Sequence, residues 1–322
     1  MGLGPIGVSV ARLAVSRPNL SLVAAIDPDP AKAGQDVGAV LGLGRQLGIT
    51  IAASAEESLR EARPAVVLHC TGSSLAGVAP QILTAVRSGA NVVSSCEELA
   101  YPYGLQDGLA AELDEAAKAH DVTVLGTGVN PGFAMDALPL MLTAACQRVD
   151  RIAIHRVQEA GNRRKPLQLK IGAGLTAKEF GERIAAGTVR HIGLPESTRM
   201  VADTLGWELD GIDDSIEPVI ARTDVTTAFL TVRAGQVAGV HQVSSGRLKG
   251  QEKVRLELEM YVGADDPREE VIVEGDPPLR LVIPGGIPGD PATAAVIVNA
   301  VSRVVAAPPG LITMRDLPAP HP

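Results

Sequence analysis

Two acids in succession, Glu97 and Glu98, follow the apolar run Asn91-Val92-Val93-Ser94-Ser95 and Cys96. A partly desolvated carboxylate at the mouth of a pocket titrates nearer neutrality than one in water and can shuttle a proton. Glu97 is the first residue beyond the run and is the expected acid/base; Glu98 should point to the other side and is the alternative. The plain structural reading of the pair is a helix start decorated with acids, which the helix dipole favours. At the head of the chain, Gly2-Leu3-Gly4-Pro5-Ile6-Gly7 fits G-x-G-x-x-G. There the first glycine makes a strand-to-helix turn, the second lets backbone approach a pyrophosphate, and the third lets helix pack on strand. The helix N-terminus then offers N–H groups and partial positive charge to the phosphates.

Asp27 closes the next apolar run, twenty residues after Gly7. It is placed to accept hydrogen bonds from an adenosine ribose, which favours NAD, while Lys32 keeps NADP open. It would serve equally as a turn residue in Asp27-Pro28-Asp29-Pro30. Thr71 and Gly72, in Thr71-Gly72-Ser73-Ser74, suit a ribose or pyrophosphate oxygen, or a helix cap. Asn130, in the ordinary turn Asn130-Pro131-Gly132, is expected beside a nicotinamide.

Farther on, Ile152, Ile154, Arg156 and Gln158 share one face of an alternating strand. Arg156 and Gln158 are candidates for a substrate pocket, although a solvated edge strand would look the same. With a basic and a neutral residue there, uncharged or carboxylate-bearing carbonyl compounds are the expected substrates. His191 is a third pocket candidate, though a lone histidine is more often structural. Arg163-Arg164-Lys165 reads as a surface or dimer feature. No two histidines or cysteines have metal-ligand spacing, so no metal is expected. Cys70, Cys96 and Cys146 lack an obvious histidine partner, which speaks against a thiol nucleophile.

The elements that must position these groups alternate through the first 130 residues or so. Strand-like runs Leu20–Ile26, Ala65–His69, Asn91–Ser95 and Val122–Leu125 are separated by helical stretches Ile6–Ser16, Ala76–Ser88 and Leu105–His120. That rhythm predicts an α/β, Rossmann-type doubly wound parallel sheet. The apolar strand that should precede Gly2 is missing and is expected upstream of Met1. After a helix over Ala134–Cys146 come the segment Arg151–Gln158 and the runs Val225–Val232, Val237–Val243, Val254–Val262 and Glu270–Glu274. They predict an α+β domain with a large, mostly antiparallel sheet. A last helix, capped by Asp290, should run to about Ala306. The expected division is a dinucleotide-binding domain over 1–133, a substrate-binding and dimerisation domain over 134–284, and a returning helix and tail over 285–322.

With 322 residues, 46% hydrophobic and 20% charged, the chain has material for about two globular domains. A net charge of −8 argues against a grip on nucleic acid, and 2% aromatics against a base-stacking surface. No run of 18 apolar residues and no basic-then-apolar leader is found, so neither a membrane partner nor secretion is expected. Three widely spaced cysteines without CxxC fit a reducing cytoplasm.

Taken with Cys96–Pro102, Gly126–Phe133, Pro166–Thr176 and Gly289–Ala295, the Gly2–Gly7 loop resembles the 2,4-diaminopentanoate dehydrogenase group and its relatives, the native amine dehydrogenases. The resemblance spans almost the whole chain and implies a dihydrodipicolinate reductase type of fold. It implies reductive amination of a small ketone or aldehyde with ammonia and NAD(P)H, and the reverse oxidative deamination. It assigns the acid/base role to the segment matching Cys96-Glu97-Glu98, hence to Glu97. Alternatives are a 2,4-diaminopentanoate or amino-acid dehydrogenase, and an NAD(P)-binding redox sensor without catalysis. Dihydrodipicolinate reductase itself is disfavoured, because His155–Gly161 lacks its adjacent histidines and lysine. The second domain, with one apolar and one mixed sheet face and few helices, is expected to form a homodimer.

Overall fold

The computed structural model describes residues 1–321. They divide into two compact units, one of residues 1–133 with 288 onward, the other of residues 134–287. The first unit begins α1 (Pro5–Ser16), β1 (Ala25–Ile26), α2 (Val37–Val40), β2 (Ile51–Ala52), α3 (Ala55–Ala62), β3 (Val66–His69), α4 (Leu75–Arg87), β4 (Asn91–Ser94), α5 (Asp107–Ala119) and β5 (Thr123–Gly126). The second holds α6 (Ala137–Thr143), β6 (Arg148–Glu159), α7 (Lys165–Lys170), α8 (Ala177–Ala185), α9 (Leu194–Thr204) and β7 (Gly211–Ile220). It continues with β8 (Val225–Thr226), β9 (Thr231–Val232), β10 (Val237–Leu248), β11 (Gln251–Tyr261), β12 (Arg268–Asp276) and β13 (Leu279–Pro284). The chain then returns to the first unit with α10 (Gly289–Val305) and β14 (Gly310–Ile312).

In the first unit β14-β5-β4-β3 form one parallel sheet, and β1-β2 a separate parallel pair. Val92, Val93, Val124 and Leu125 are wholly buried, because α4 and α5 on one side and α10 on the other leave neither sheet face to water. Leu75, Ile82 and Val86 recur at helical spacing along α4 and fill the same core with Leu113 and Ala117 of α5. Helix α1 packs against α10.

The second unit is built on a six-stranded sheet, β13-β12-β6-β11-β10-β7, antiparallel except where β6 lies parallel to β11. Its register puts Gln242, Leu258, Arg156 and Glu269 side by side in one cross-strand row. Val254, Leu256 and Leu258 are fully buried on that face, over which α9 packs. Thr198 of α9 meets Ser244 of β10 there, oxygen to oxygen at 2.8 Å.

Several expectations need correction. Leu20–Ile26 forms a strand only at Ala25–Ile26, where β2 supplies a ladder; the earlier residues have no strand to pair with. Val225–Val232 is a tight hairpin of two short strands, turned by Thr227 N–H to Leu230 O. Asp290 lies inside the first turn of α10, whose N-cap is Pro288. The Ala134–Cys146 helix is shorter, starting after Asp136, whose carboxylate accepts the Ala137 N–H. The apolar face of β11 is covered within the chain, and the opposite face carries Arg151, Arg255, Glu252 and Glu257 in ion pairs. An uncovered apolar face is therefore no ground for a dimer.

Candidate active site

The carboxyl ends of β3, β4 and β5, with the start of α1, bring together most of the residues singled out in the first 133 positions. Gly4 is the N-cap of α1 and Pro5 opens the helix, with no side chain capping its first N–H groups. A Cβ on Gly4 would meet nothing within 4 Å, whereas one on Gly7 would collide with the Gly2 carbonyl. Gly7 is thus needed for packing. Gly4 keeps backbone open to an incoming anion at a helix start, the arrangement that receives a pyrophosphate.

Asp27 is 6% exposed. Its Oδ2 accepts Leu3 N–H at 2.6 Å and the Lys32 ammonium at 3.1 Å, while Oδ1 accepts Asp29 N–H at 2.9 Å. Burial works to raise its pKa, but those N–H groups and Lys32 outweigh it and hold the carboxyl below its ordinary range. The acid therefore braces the glycine loop, and Lys32 offsets its charge. That removes much of the repulsion that a 2′-phosphate would feel, so Asp27 does not decide between the two nicotinamide cofactors.

Thr71 and Gly72 are exposed just beyond β3. Thr71 Oγ1 lies 2.9 Å from His69 Nε2, and His69 Nδ1 lies 2.9 Å from Ser94 Oγ, which accepts the Cys96 N–H at 3.1 Å. Since Ser94 Oγ accepts from Cys96, its own proton points at Nδ1, leaving Nε2–H to donate towards Thr71 and Gln81. This buried histidine ties the Thr71 turn to the Cys96–Glu97 turn. Burial lowers its pKa to about 4, so it is neutral at physiological pH. Sequence reasoning passed over His69; its signal was a histidine ending an apolar strand immediately before Cys70-Thr71-Gly72.

Glu98 Oε2 accepts Leu75 N–H at 2.7 Å and the Gln106 side-chain amide at 2.6 Å. It does for α4 what the N-cap residue Ser74 does not, since the Ser74 side chain makes no cap hydrogen bond. Glu97 is half-buried and opens the single 3₁₀ turn Glu97–Leu99. Burial, reinforced by the two neighbouring carboxylates, pushes the Cys96 thiol up to about 12, so it stays protonated. Asn130 is 9% exposed in the turn after β5, and Thr293 of α10 accepts the next-door Val129 N–H at 3.3 Å. Thr127 Oγ1 is buried in this turn with no hydrogen-bond partner.

In the second unit Arg156 is 3% exposed and donates to Glu269 Oε1 at 2.5 Å and to the Ile287 carbonyl at 3.0 Å. The same Oε1 also accepts from Gln158 Nε2 at 3.3 Å and Ile287 N–H at 2.8 Å. Burial pushes the Glu269 carboxyl up, against the pull of Arg156. The expected bias towards carboxylate-bearing substrates rested on an uncompensated Arg156, and Glu269 removes it. Glu269 was missed because only cross-strand register brings it opposite Arg156. His191 lies in the turn before α9; its backbone N–H donates to Gln242 Oε1 at 3.0 Å, and its carbonyl accepts from Gln242 Nε2 at 3.1 Å. It thus anchors to the same cross-strand row as Arg156.

Residues 133–322 match the family model of the 2,4-diaminopentanoate dehydrogenase C-terminal domain. The whole chain is 32% identical to 2,4-diaminopentanoate dehydrogenase of Acetoanaerobium sticklandii over 342 aligned residues, covering 93% of that protein. It is 26% identical to an amine dehydrogenase of Streptomyces virginiae, over 98% of this chain and 94% of the relative. The solved amine dehydrogenase of Mycobacterium smegmatis superposes with a TM-score of 0.87 at 26% identity, over 100% of this chain and 95% of that one. The chain belongs to the 2,4-diaminopentanoate dehydrogenase family and is an oxidoreductase acting on amine groups.

Proposed function

We propose that the protein is a cytoplasmic, NAD(P)H-dependent amine dehydrogenase that reductively aminates a small ketone or aldehyde with ammonia, and oxidatively deaminates the amine in reverse. The observation that carries this reading is the division of labour between adjacent acids. Glu98 holds the start of α4, and Glu97, half-buried in the 3₁₀ turn that follows β4, is the acid we assign to proton transfer. The residues fit a dinucleotide: Gly2, Gly4, Pro5, Ile6 and Gly7 present an uncapped helix start and an open backbone at Gly4. Asp27 with Lys32 would meet the adenosine ribose, and Thr71, Gly72 and Asn130 would line the rest of the edge. NADPH or NADH supplies the hydride when bound.

Glu97 then has three tasks. As carboxylate it takes a proton from ammonium, freeing the nitrogen lone pair to attack the carbonyl carbon. As carboxylic acid it returns that proton to the carbinolamine hydroxyl, which leaves as water. Ionised again, it stabilises the iminium cation until reduction gives the amine. On the substrate side we assign Arg156, Gln158 and His191. Because Glu269 balances Arg156, this set suits an uncharged carbonyl compound.

Glu97→Gln should lower kcat for reductive amination by about 10²–10⁴-fold, the usual worth of a positioned acid/base, with NAD(P)H affinity kept within about twofold. Unchanged turnover would remove Glu97 from the mechanism. We further infer a homodimer formed through the six-stranded sheet, whose outward Arg151, Arg255 and Glu257 are only partly exposed. Sedimentation should then give twice the 33.3 kDa chain mass, and a single species at the chain mass would exclude it.

A further inference from the structure

The hydrogen bonds around His69 run in one direction and end on an exposed hydroxyl. His69 closes β3 and Ser94 closes β4, and the parallel register sets them side by side. Both are fully buried. Ser94 Oγ has two neighbours, the Cys96 N–H at 3.1 Å and His69 Nδ1 at 2.9 Å. An N–H only donates, so the Ser94 proton has one acceptor within reach, Nδ1, and away from it would be buried unpaired. Nε2 therefore carries the ring proton and donates it to Thr71 Oγ1 at 2.9 Å and Gln81 Oε1 at 3.1 Å. Burial holds the ring neutral, with its pKa lowered to about 4, so this direction is kept at physiological pH.

Thr71 is where the chain of hydrogen bonds reaches solvent. Its Oγ1 accepts from Nε2–H, so its own proton points away from His69, and among the described residues no acceptor takes it. Burial of the histidine does not call for Thr71, because Gln81 Oε1 by itself satisfies Nε2–H. The other branch of the side chain is fixed as well. Gly2 has a φ of +80°, and a Cβ there would lie 2.9 Å from Thr71 Cγ2, so the methyl packs against the glycine turn. With one branch on Gly2 and the other on His69, Thr71 keeps a single rotamer. Its hydroxyl stands beside the Gly2–Gly7 turn, set to donate outward.

We propose that His69 is a positioning residue for dinucleotide binding: through its Nε2–H it makes Thr71 a committed donor to a pyrophosphate oxygen. This rests on the dinucleotide reading of the glycine turn. The chemistry favours the pyrophosphate over a ribose. A phosphate oxygen only accepts, so a hydroxyl held as a donor matches it. A ribose hydroxyl both donates and accepts, and gains nothing from a partner held one way. A hydroxyl whose oxygen already receives a hydrogen bond is a stronger donor, and its bond to an anion is stronger than one to a neutral group. The uncapped N–H groups at the start of α1 would serve the same anion.

Two measurements test this. Nitrogen NMR of the histidine rings should show His69, identified by its loss in His69→Phe, with the proton on Nε2 and none on Nδ1. A proton on Nδ1 overturns the proposal. Affinity is then read by calorimetry with ADP, which offers the pyrophosphate without the nicotinamide half, and with NADH. Thr71→Val should weaken both by about tenfold or more, the worth of a hydrogen bond to a charged group, and Thr71→Ser by less than about threefold. His69→Phe cannot direct the hydroxyl and should weaken both by about threefold or more. The double variant His69→Phe/Thr71→Val should bind no more weakly than Thr71→Val, since the two side chains act as one unit. Losses that multiply in the double variant, or ADP affinity unchanged by Thr71→Val, overturn the proposal and leave the dinucleotide reading in place. Wild-type protein that binds none of ADP, NADH and NADPH would remove that reading and the proposal together.

Discussion

The carboxyl edge of the first unit and the cross-strand row of the second both gather buried polar groups, but they satisfy them by different means. At the edge, backbone does most of the work. Asp27 accepts N–H groups of Leu3 and Asp29, Glu98 accepts that of Leu75, and Ser94 accepts that of Cys96. In the row, side chain meets side chain across strands: Arg156 with Glu269, and Gln158 with the same carboxylate. Backbone donors at turns and helix starts are fixed by local conformation, so a carboxylate held by them survives changes elsewhere. A cross-strand ion pair depends on the partner being present and in register.

The largest expected effect breaks the row. Arg156→Ala leaves Glu269 buried without its cation, and removing one partner of a buried pair costs about 3–5 kcal/mol. Urea denaturation should show that loss, with much of it recovered in the double variant Arg156→Leu/Glu269→Leu. A double variant as unstable as the single one would mean that the pair is not the source of the cost.

Next comes the one buried histidine at the edge. Its folded pKa, about 4, lies below the ordinary 6.5, so the neutral form is preferred in the fold. The stability tied to His69 is complete above pH 6.5 and drains away as pH falls towards 4, because only the unfolded chain takes up the proton in that window. The slope is about 1.4 kcal/mol per pH unit, or about 3 kcal/mol in all. The denaturation free energy of the wild type minus that of His69→Gln, followed from pH 7 to 4, should fall accordingly. A difference that does not change with pH would contradict it.

The smallest effect separates the adjacent acids. Glu98→Gln weakens a helix cap and should cost about 1 kcal/mol in stability while leaving kcat within a few-fold. If it instead reproduces the catalytic loss expected of Glu97→Gln, the assignment of the two is reversed.

Much of this was legible in the residues themselves. The βα rhythm, the glycine loop, Asp27 at the end of its strand and the Glu97-Glu98 pair rest on short-range rules of period, turn chemistry and helix capping, which operate on neighbours in sequence. Local signals did not extend to β7 or β13, whose runs Gly211–Ile220 and Leu279–Pro284 carry acids or proline and lack a clean alternation. The Leu20–Ile26 run has strand composition, yet it pairs only where β2 stands beside it.

Sequence by itself determined that an acid would stand at the end of β4 and a phosphate-ready helix start at Gly4, because each depends on a handful of adjacent residues. Tertiary structure alone decided that Glu98 would hold the start of α4, since the N–H it accepts belongs to Leu75, 23 residues away. It alone decided that Arg156 is neutralised, by a glutamate 113 residues away that only the β6–β12 register brings opposite it. Partners so distant in the chain leave no periodic trace, because a hydrogen bond or ion pair depends on distance in space and the spacing along the sequence does not encode it.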